Sequence, residues 1–203
     1  MLPDAKQSAL IVVDMQNGFL RKGASCDRIG LPTEALQPAI QPCLELVKLA
    51  RAHGVPIIFT RYVYRADFRD GGVLVDELMP VLKTERALVA GSEDAAIIDE
   101  LKPDAEDFVL DKNRPSAFYA TPLETWLNGL RVQNLVVCGV TTNCCVESTV
   151  RDASHRDYRT WVVQDAVAEY DPNRHAVALE SMGMLFGYVT SVDDIRSHWK
   201  STG

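Results

Sequence analysis

The stretch NLVVCGVTTNCCVESTVRDA, from Asn134 to Ala153, changes its period partway along. Asn134 to Val140 is a continuous apolar run rich in valine, the pattern of a strand buried on both faces of a parallel sheet. Beyond it, Val146, Val150 and Ala153 recur at i, i+4 and i+7, the buried stripe of a helix. A strand feeding directly into a helix is half of a βαβ unit. At 3.6 residues per turn, Cys145 falls at the edge of the stripe while Cys144 points roughly opposite. Two adjacent thiols therefore sit at a strand-to-helix turn, and Cys145 is the one turned inward.

The same alternation extends in both directions. Ala9 to Val13 (ALIVV), Val55 to Thr60 (VPIIFT), Asp107 to Leu110 (DFVL), Arg159 to Gln164 (RTWVVQ) and Tyr188 to Ser191 read as further strands. Helical periodicity covers Glu34 to Ala52, with Leu36, Ile40, Leu44, Val47 and Leu49 apolar and His53-Gly54 as the stop. Pro38 and Pro42 must lie near its first turns or delay its start. Leu123 to Leu130, His175 to Leu185 and a C-terminal segment to Lys200 read as helices. Strands alternating with helices predict a three-layer α/β/α Rossmann-like fold with a central, mostly parallel sheet of about six strands, in a single domain spanning 1–203. One long irregular segment, Arg61 to Ser92, interrupts the pattern, and loops of that length in compact domains tend to be functional.

The chain has 203 residues and a net charge of −7, without a cluster of lysine and arginine, which argues against nucleic acid or anionic membranes as partners. Its N-terminus, MLPDAKQSALIVVDM, lacks the basic and apolar regions of a signal peptide. Five cysteines without a CxxC pair suit neither a disulfide framework nor a metal clip, so a cytoplasmic protein with reduced thiols is expected.

In open α/β sheets, ligands bind beyond the carboxyl ends of the strands. Asp14, Lys112 and Cys145 all fall at such ends. A thiolate nucleophile, a carboxylate to move protons and a cation to favour negative charge together make an acyl-transfer site. The expected effect of Lys112 and of the helix N-terminus is to stabilise the Cys145 thiolate.

These pieces carry a resemblance. VVDMQNGF (Val12 to Phe19), DKNRPSAF (Asp111 to Phe118) followed by TPLETWL, GVTTNCCVESTVRDA and VVQDAVAEY are similar, in order, to motifs of the isochorismatase-like superfamily of cysteine hydrolases. The resemblance implies that Asp14, Lys112 and Cys145 form the catalytic triad, with Cys144 in the variable slot before the nucleophile. It also implies a cis peptide at Val140–Thr141 and an oxyanion hole made by the backbone N–H groups of Thr141 and Cys145. Members that hydrolyse nicotinamide carry a histidine-rich metal site after the second strand. Arg61 to Gly72 contains no histidine, so no catalytic metal or other cofactor is expected. Members that split a vinyl ether lack the cysteine, whereas Cys145 is present. Gly18 stands where an acidic residue is often seen, a change expected to loosen that turn.

NCCVESTVRD, SAF and FGYVTSV resemble the ureido and carbamoyl branch, which implies a small amide or ureido substrate and a homo-oligomer, dimer or tetramer. Asn17, Phe19, Phe118 and Thr142 are the candidate pocket walls because they flank the triad motifs, and Gln16 is a candidate structural hydrogen bonder beneath them. Arg61 is a candidate clamp for a substrate carboxylate, with Tyr64, Arg65 and Arg69 as further candidates. The opposing reading pairs these arginines with Asp67, Asp70 or Asp76 at the surface. Two rival classes remain on the residues alone. A nucleotide-binding Rossmann domain would need a G-x-G-x-x-G where VVDMQNGF stands, and a non-catalytic binding or redox module would use the paired thiols without releasing product.

Overall fold

A computed structural model of the chain describes residues 2–202. Six strands form one sheet in the order β3-β2-β1-β4-β5-β6. They are β1 (Ser8–Val13), β2 (Ile57–Tyr62), β3 (Phe108–Lys112), β4 (Asn134–Val140), β5 (Arg159–Ala168) and β6 (Tyr188–Thr190). Every neighbouring pair is parallel. The chain winds outward in one direction from β1 through β3 and in the other from β4 through β6. The switch between β1 and β4 opens a crevice at their carboxyl ends.

Alternation along β1 divides the core. Ile11 and Val13 join Ile58, Val137, Val146 and Val150 on one face. Leu10 and Val12 join Cys43, Leu46, Val136 and Trp199 on the other. The helices Ile40–Ala52 and Val192–Thr202 cover the second face, and Leu123–Gly129, Glu147–Ser154 and Pro172–Leu185 cover the first.

Several boundaries differ from the sequence expectation for identifiable reasons. The helix expected from Glu34 begins at Ile40, after 3-10 turns at Thr33–Ala35 and Gln37–Ala39. Pro38 lies in the second of these turns and Pro42 in the first turn of the helix, positions where a missing N–H costs least. β2 runs on to Tyr62 because Arg61 and Tyr62 pair in register with Asp111 and Lys112 of β3. The long segment that follows is folded: Tyr64 bridges to Val89, with its N–H donating to the Leu88 carbonyl at 2.9 Å.

Gly139 is the position in β4 that no other residue suits. Its φ is 111°, and a Cβ there would stand 2.1 Å from the Val13 carbonyl oxygen. That close approach brings the ends of β1 and β4 together, one residue before Asp14 and two before Thr141. Gly139→Ala is expected to cost about 3 kcal/mol or more through left-handed strain and overlap, read as a lower midpoint in urea denaturation.

Candidate active site

Asp14 follows β1 with φ 50°, a left-handed conformation that aspartate tolerates better than most side chains. Its N–H donates to Thr60 Oγ1 at 3.1 Å, and the Thr60 hydroxyl in turn donates to Asp14 Oδ1 at 2.6 Å. Lys112, at the end of β3, donates from Nζ to Asp14 Oδ2 at 2.7 Å and to the Arg114 carbonyl at 3.2 Å. Neither the Asp14 nor the Lys112 side chain has any exposed surface. The ammonium also lies 4.4 Å from the centre of the Tyr62 ring, a cation–π contact. Both carboxylate oxygens are therefore held, one by a hydroxyl and one by a cation.

The Lys112 charge also acts on the Cys145 sulfur, so it links the carboxylate electrostatically to the thiol. Burial, the strongest influence on this lysine, opposes its charge. The Asp14 carboxylate and the Cys145 sulfur outweigh burial and hold its pKa above the ordinary lysine value.

Cys145 lies in a wide turn, Thr142–Val146, between β4 and the Glu147–Ser154 helix. The Val146 N–H reaches back five residues to the Thr141 carbonyl at 3.1 Å, a π-type bond of the kind often found at functional positions. The Val140–Thr141 peptide is cis. Cys145 is buried and Cys144 exposed, and Val146, Val150 and Ala153 are fully enclosed, as the stripe predicts. Three hydrogen bonds fix this turn from outside. Glu169 accepts from the Asn143 N–H at 3.2 Å, Thr142 Oγ1 pairs with His175 Nδ1 at 2.9 Å, and the Thr149 hydroxyl donates to the Cys145 carbonyl at 2.7 Å.

The ionisation of the thiols differs from the sequence expectation. The neighbouring Cys144 thiol, and then burial, push the Cys145 pKa above the ordinary thiol value, and the Lys112 charge only partly opposes them. The influence of Cys145 in turn lowers the pKa of Cys144. One cation already matched to one carboxylate leaves little to stabilise a second buried anion. Cys145 thus rests as a thiol, with Asp14 nearby to receive its proton.

Thr141, Cys144 and Cys145 line a cavity of about 180 Å³. Phe19 is the one expected wall residue found there. Tyr62 and Tyr64, with Leu74, Met79, Leu82 and Leu88 of the long segment, form much of the remainder, so that segment covers the site.

The other expected wall residues lie elsewhere. Arg61 is clamped by Asp111 through two hydrogen bonds of 2.7 and 2.9 Å and does not line the cavity. Arg65 pairs with Asp67 at 3.1 Å, and Arg69 with the same carboxylate at 3.9 Å. Asn17 donates to the Glu93 carbonyl and carboxylate, both at 3.0 Å, beside a separate open cleft. Phe118 packs in the core against Tyr158 at 5.9 Å between ring centres. Thr142 is fully buried and occupied by His175.

Gln16 is a brace, donating to the Tyr62 and Ala95 carbonyls and accepting from the Tyr62 N–H at 2.6 Å. Gly18 is filled space, not a loosened turn: a Cβ would lie 2.5 Å from Leu88 Cδ2, and its N–H donates to the Asp94 carbonyl at 2.8 Å.

Thr60, Tyr62, Glu169 and Tyr170 escaped the sequence reading. The available signals were a hydroxyl closing an otherwise apolar strand and the EY pair ending VVQDAVAEY. Among the described residues, no group of three or more His, Cys, Asp or Glu side chains is arranged to hold a metal ion.

A parallel sheet whose switch point holds a buried Asp–Lys pair against an inward-facing cysteine defines the class of this chain. It belongs to the isochorismatase family, whose domain model matches residues 8–194. Among its relatives, the ureidoacrylate amidohydrolase RutB of Methylorubrum extorquens strain AM1 is 35% identical over 202 residues, covering 93% of this chain and 81% of that protein. A cysteine hydrolase from Pseudomonas syringae pv. phaseolicola 1448A superposes with a TM-score of 0.90 at 29% identity, over 99% of this chain and 96% of that one. N-carbamoylsarcosine amidase from Thermoplasma acidophilum superposes with a TM-score of 0.75 at 28% identity, over 92% and 97% of the two chains.

Proposed function

We propose that this chain is a cysteine-dependent amidohydrolase that cleaves a C–N bond of a small amide or ureido compound. The observation that carries the reading is the convergence of Asp14, Lys112 and Cys145 beside one small cavity at the switch point. The names of the amidohydrolase relatives support it.

In the proposed reaction, Asp14 takes the Cys145 proton as the sulfur attacks the carbonyl carbon. The backbone N–H groups of Thr141 and Cys145 receive the developing oxyanion. Asp14 returns the proton to the departing nitrogen as the C–N bond breaks, which leaves a thioester, or a thiocarbamate when a carbamoyl group is transferred. Asp14 then takes a proton from water, the hydroxide attacks the same carbon, and the C–S bond breaks as Asp14 passes that proton to the sulfur, restoring both the thiol and the carboxylate. Thr60 and Lys112 keep the carboxylate aimed throughout, and Lys112 balances charge while the proton is away.

The test is ammonia release from a panel of small amides and ureido compounds, with Cys145→Ala beside the wild type. Turnover that needs Cys145 supports the reading, and silence from folded protein across the panel contradicts it.

Residues 1–203 act as one hydrolase domain in this reading, and the family match across 8–194 supports that. We place the protein in the cytoplasm as a homo-oligomer. Its cysteines are free, and no described helix is long and apolar enough to cross a membrane. Met184 and Leu185 are about 70% exposed, beside exposed Tyr188 and Val189 of the edge strand, an apolar face suited to a second copy. Light scattering is expected to give a dimer or tetramer, and a monomer at micromolar concentration would refute the assembly.

A further inference from the structure

We propose that the cavity beside Cys145 selects an uncharged amide or urea bearing a small apolar substituent and rejects substrates that carry a carboxylate. The proposal rests on the hydrolase reading above and names the substrate class within it. It departs from the acid in the name of the ureidoacrylate amidohydrolases, which at 35% identity leave ample room for different walls.

Three observations carry it. First, among the described residues that line the cavity, none is arginine, lysine, histidine, aspartate or glutamate. Its walls are aromatic and aliphatic side chains, with thiols and the Thr141 turn. The phenols stay neutral: burial raises Tyr62, Tyr64 and Tyr170 above the ordinary range, Tyr64 to about 12. The one lining group whose pKa is lowered is Cys144, and its ionised form adds negative charge.

Second, no cation is among the described residues that line the cavity, and several in the surrounding segments are held elsewhere. Arg61 faces Asp111, and Arg65 and Arg69 share Asp67. Arg28 is paired with Glu85 at 3.0 Å, and Arg114 keeps its charge but donates to the Asp70 and Asn113 backbone carbonyls and does not line the cavity. Lys112 is neutralised by Asp14 at 2.7 Å with no exposed surface. A carboxylate entering the cavity would lose its water and find no free cation on the walls, a combination that strongly disfavours burial of charge.

Third, the cavity is small and offers little polarity away from the nucleophile. Its volume of about 180 Å³ equals roughly six water molecules at ~30 Å³ each. Tyr170 supplies a buried hydroxyl that lacks a hydrogen-bond partner of normal geometry, the Cys26 thiol being its neighbour. One neutral hydroxyl suits the N–H or carbonyl of the reacting group, and the apolar walls suit the rest of the molecule.

Matched pairs of equal shape test this on the full chain in its native assembly. 4-Methylpentanamide is set against succinamate, and N-(3-methylbutyl)urea against 3-ureidopropionate, with kcat/KM from ammonia release. Protection of Cys145 from iodoacetamide, mapped by peptide mass, reports binding independently of turnover. The expected result is a preference of about 100-fold for the neutral member of each pair, the scale of leaving a buried charge unpaired, and protection by the neutral member alone. Equal or faster Cys145-dependent turnover of the acids would overturn the proposal while leaving the hydrolase reading intact. Protection by the neutral members without turnover would keep the pocket preference and remove the hydrolase reading. Protection by neither would overturn the proposal.

Discussion

Cys145→Ala lowers kcat/KM by about 10⁴-fold or more, the loss expected when a covalent nucleophile is removed and only binding and the oxyanion site remain. Cys144→Ala, one residue away, leaves kcat/KM within about threefold, since Cys144 is the exposed sulfur and takes no bond-making part in the proposed reaction. The contrast follows from the turn Thr142–Val146, which buries one sulfur beside Lys112 and exposes the other. Cys144 is not without influence. The Cys144 thiol is the largest influence raising the Cys145 pKa, so Cys144→Ala shifts the pH dependence of Cys145 alkylation downward. Because the exposed thiol ionises first, reagent labelling must be mapped to the residue and not simply counted.

Lys112→Met has the second large effect, and it falls on stability as well as rate. Removing one partner of a buried ion pair leaves the other charge uncompensated, a loss of about 3–5 kcal/mol. Asp14 would then stand fully enclosed with only Thr60 to hold it. The double variant Asp14→Asn/Lys112→Met is expected to be more stable than the sum of the single losses, because the two residues share one interaction.

The pH dependence has a definite sign. The folded pKa of Lys112 lies above its unfolded value, so its contribution is complete below that unfolded value and is lost as pH climbs through the folded one. Wild type and Lys112→Met therefore differ most below about pH 10, near the unfolded lysine value, and converge above the folded one. Urea denaturation across that range measures the convergence. A difference that widens with rising pH would contradict the ion-pair account.

The positions of Asp14, Lys112 and Cys145 were legible because each falls at or just past the carboxyl end of a strand, where open α/β sheets bind their ligands. Phe19 was legible for a similar reason, lying one turn beyond Asp14. The fate of Arg61 was not. Its partner Asp111 is distant in sequence and meets it only through the register of β2 and β3. Phe118 and Thr142 flank the triad motifs yet face the core, because nearness along the chain does not decide which way a side chain turns. Tyr170 and Thr60 reach the site from separate strand ends, and no local spacing marks them. The resting state of the thiol also needed the structure, since it depends on one lysine serving a carboxylate and a sulfur together.

The most direct measurement is a rapid chemical quench during turnover, followed by peptide mass mapping of the acylated residue. The account predicts a transient acyl or carbamoyl mass on the peptide around Cys145, confined to that sulfur and absent in Cys145→Ala. A covalent adduct on Cys144 that forms and decays at the turnover rate would contradict it, as would undiminished turnover in Cys145→Ala.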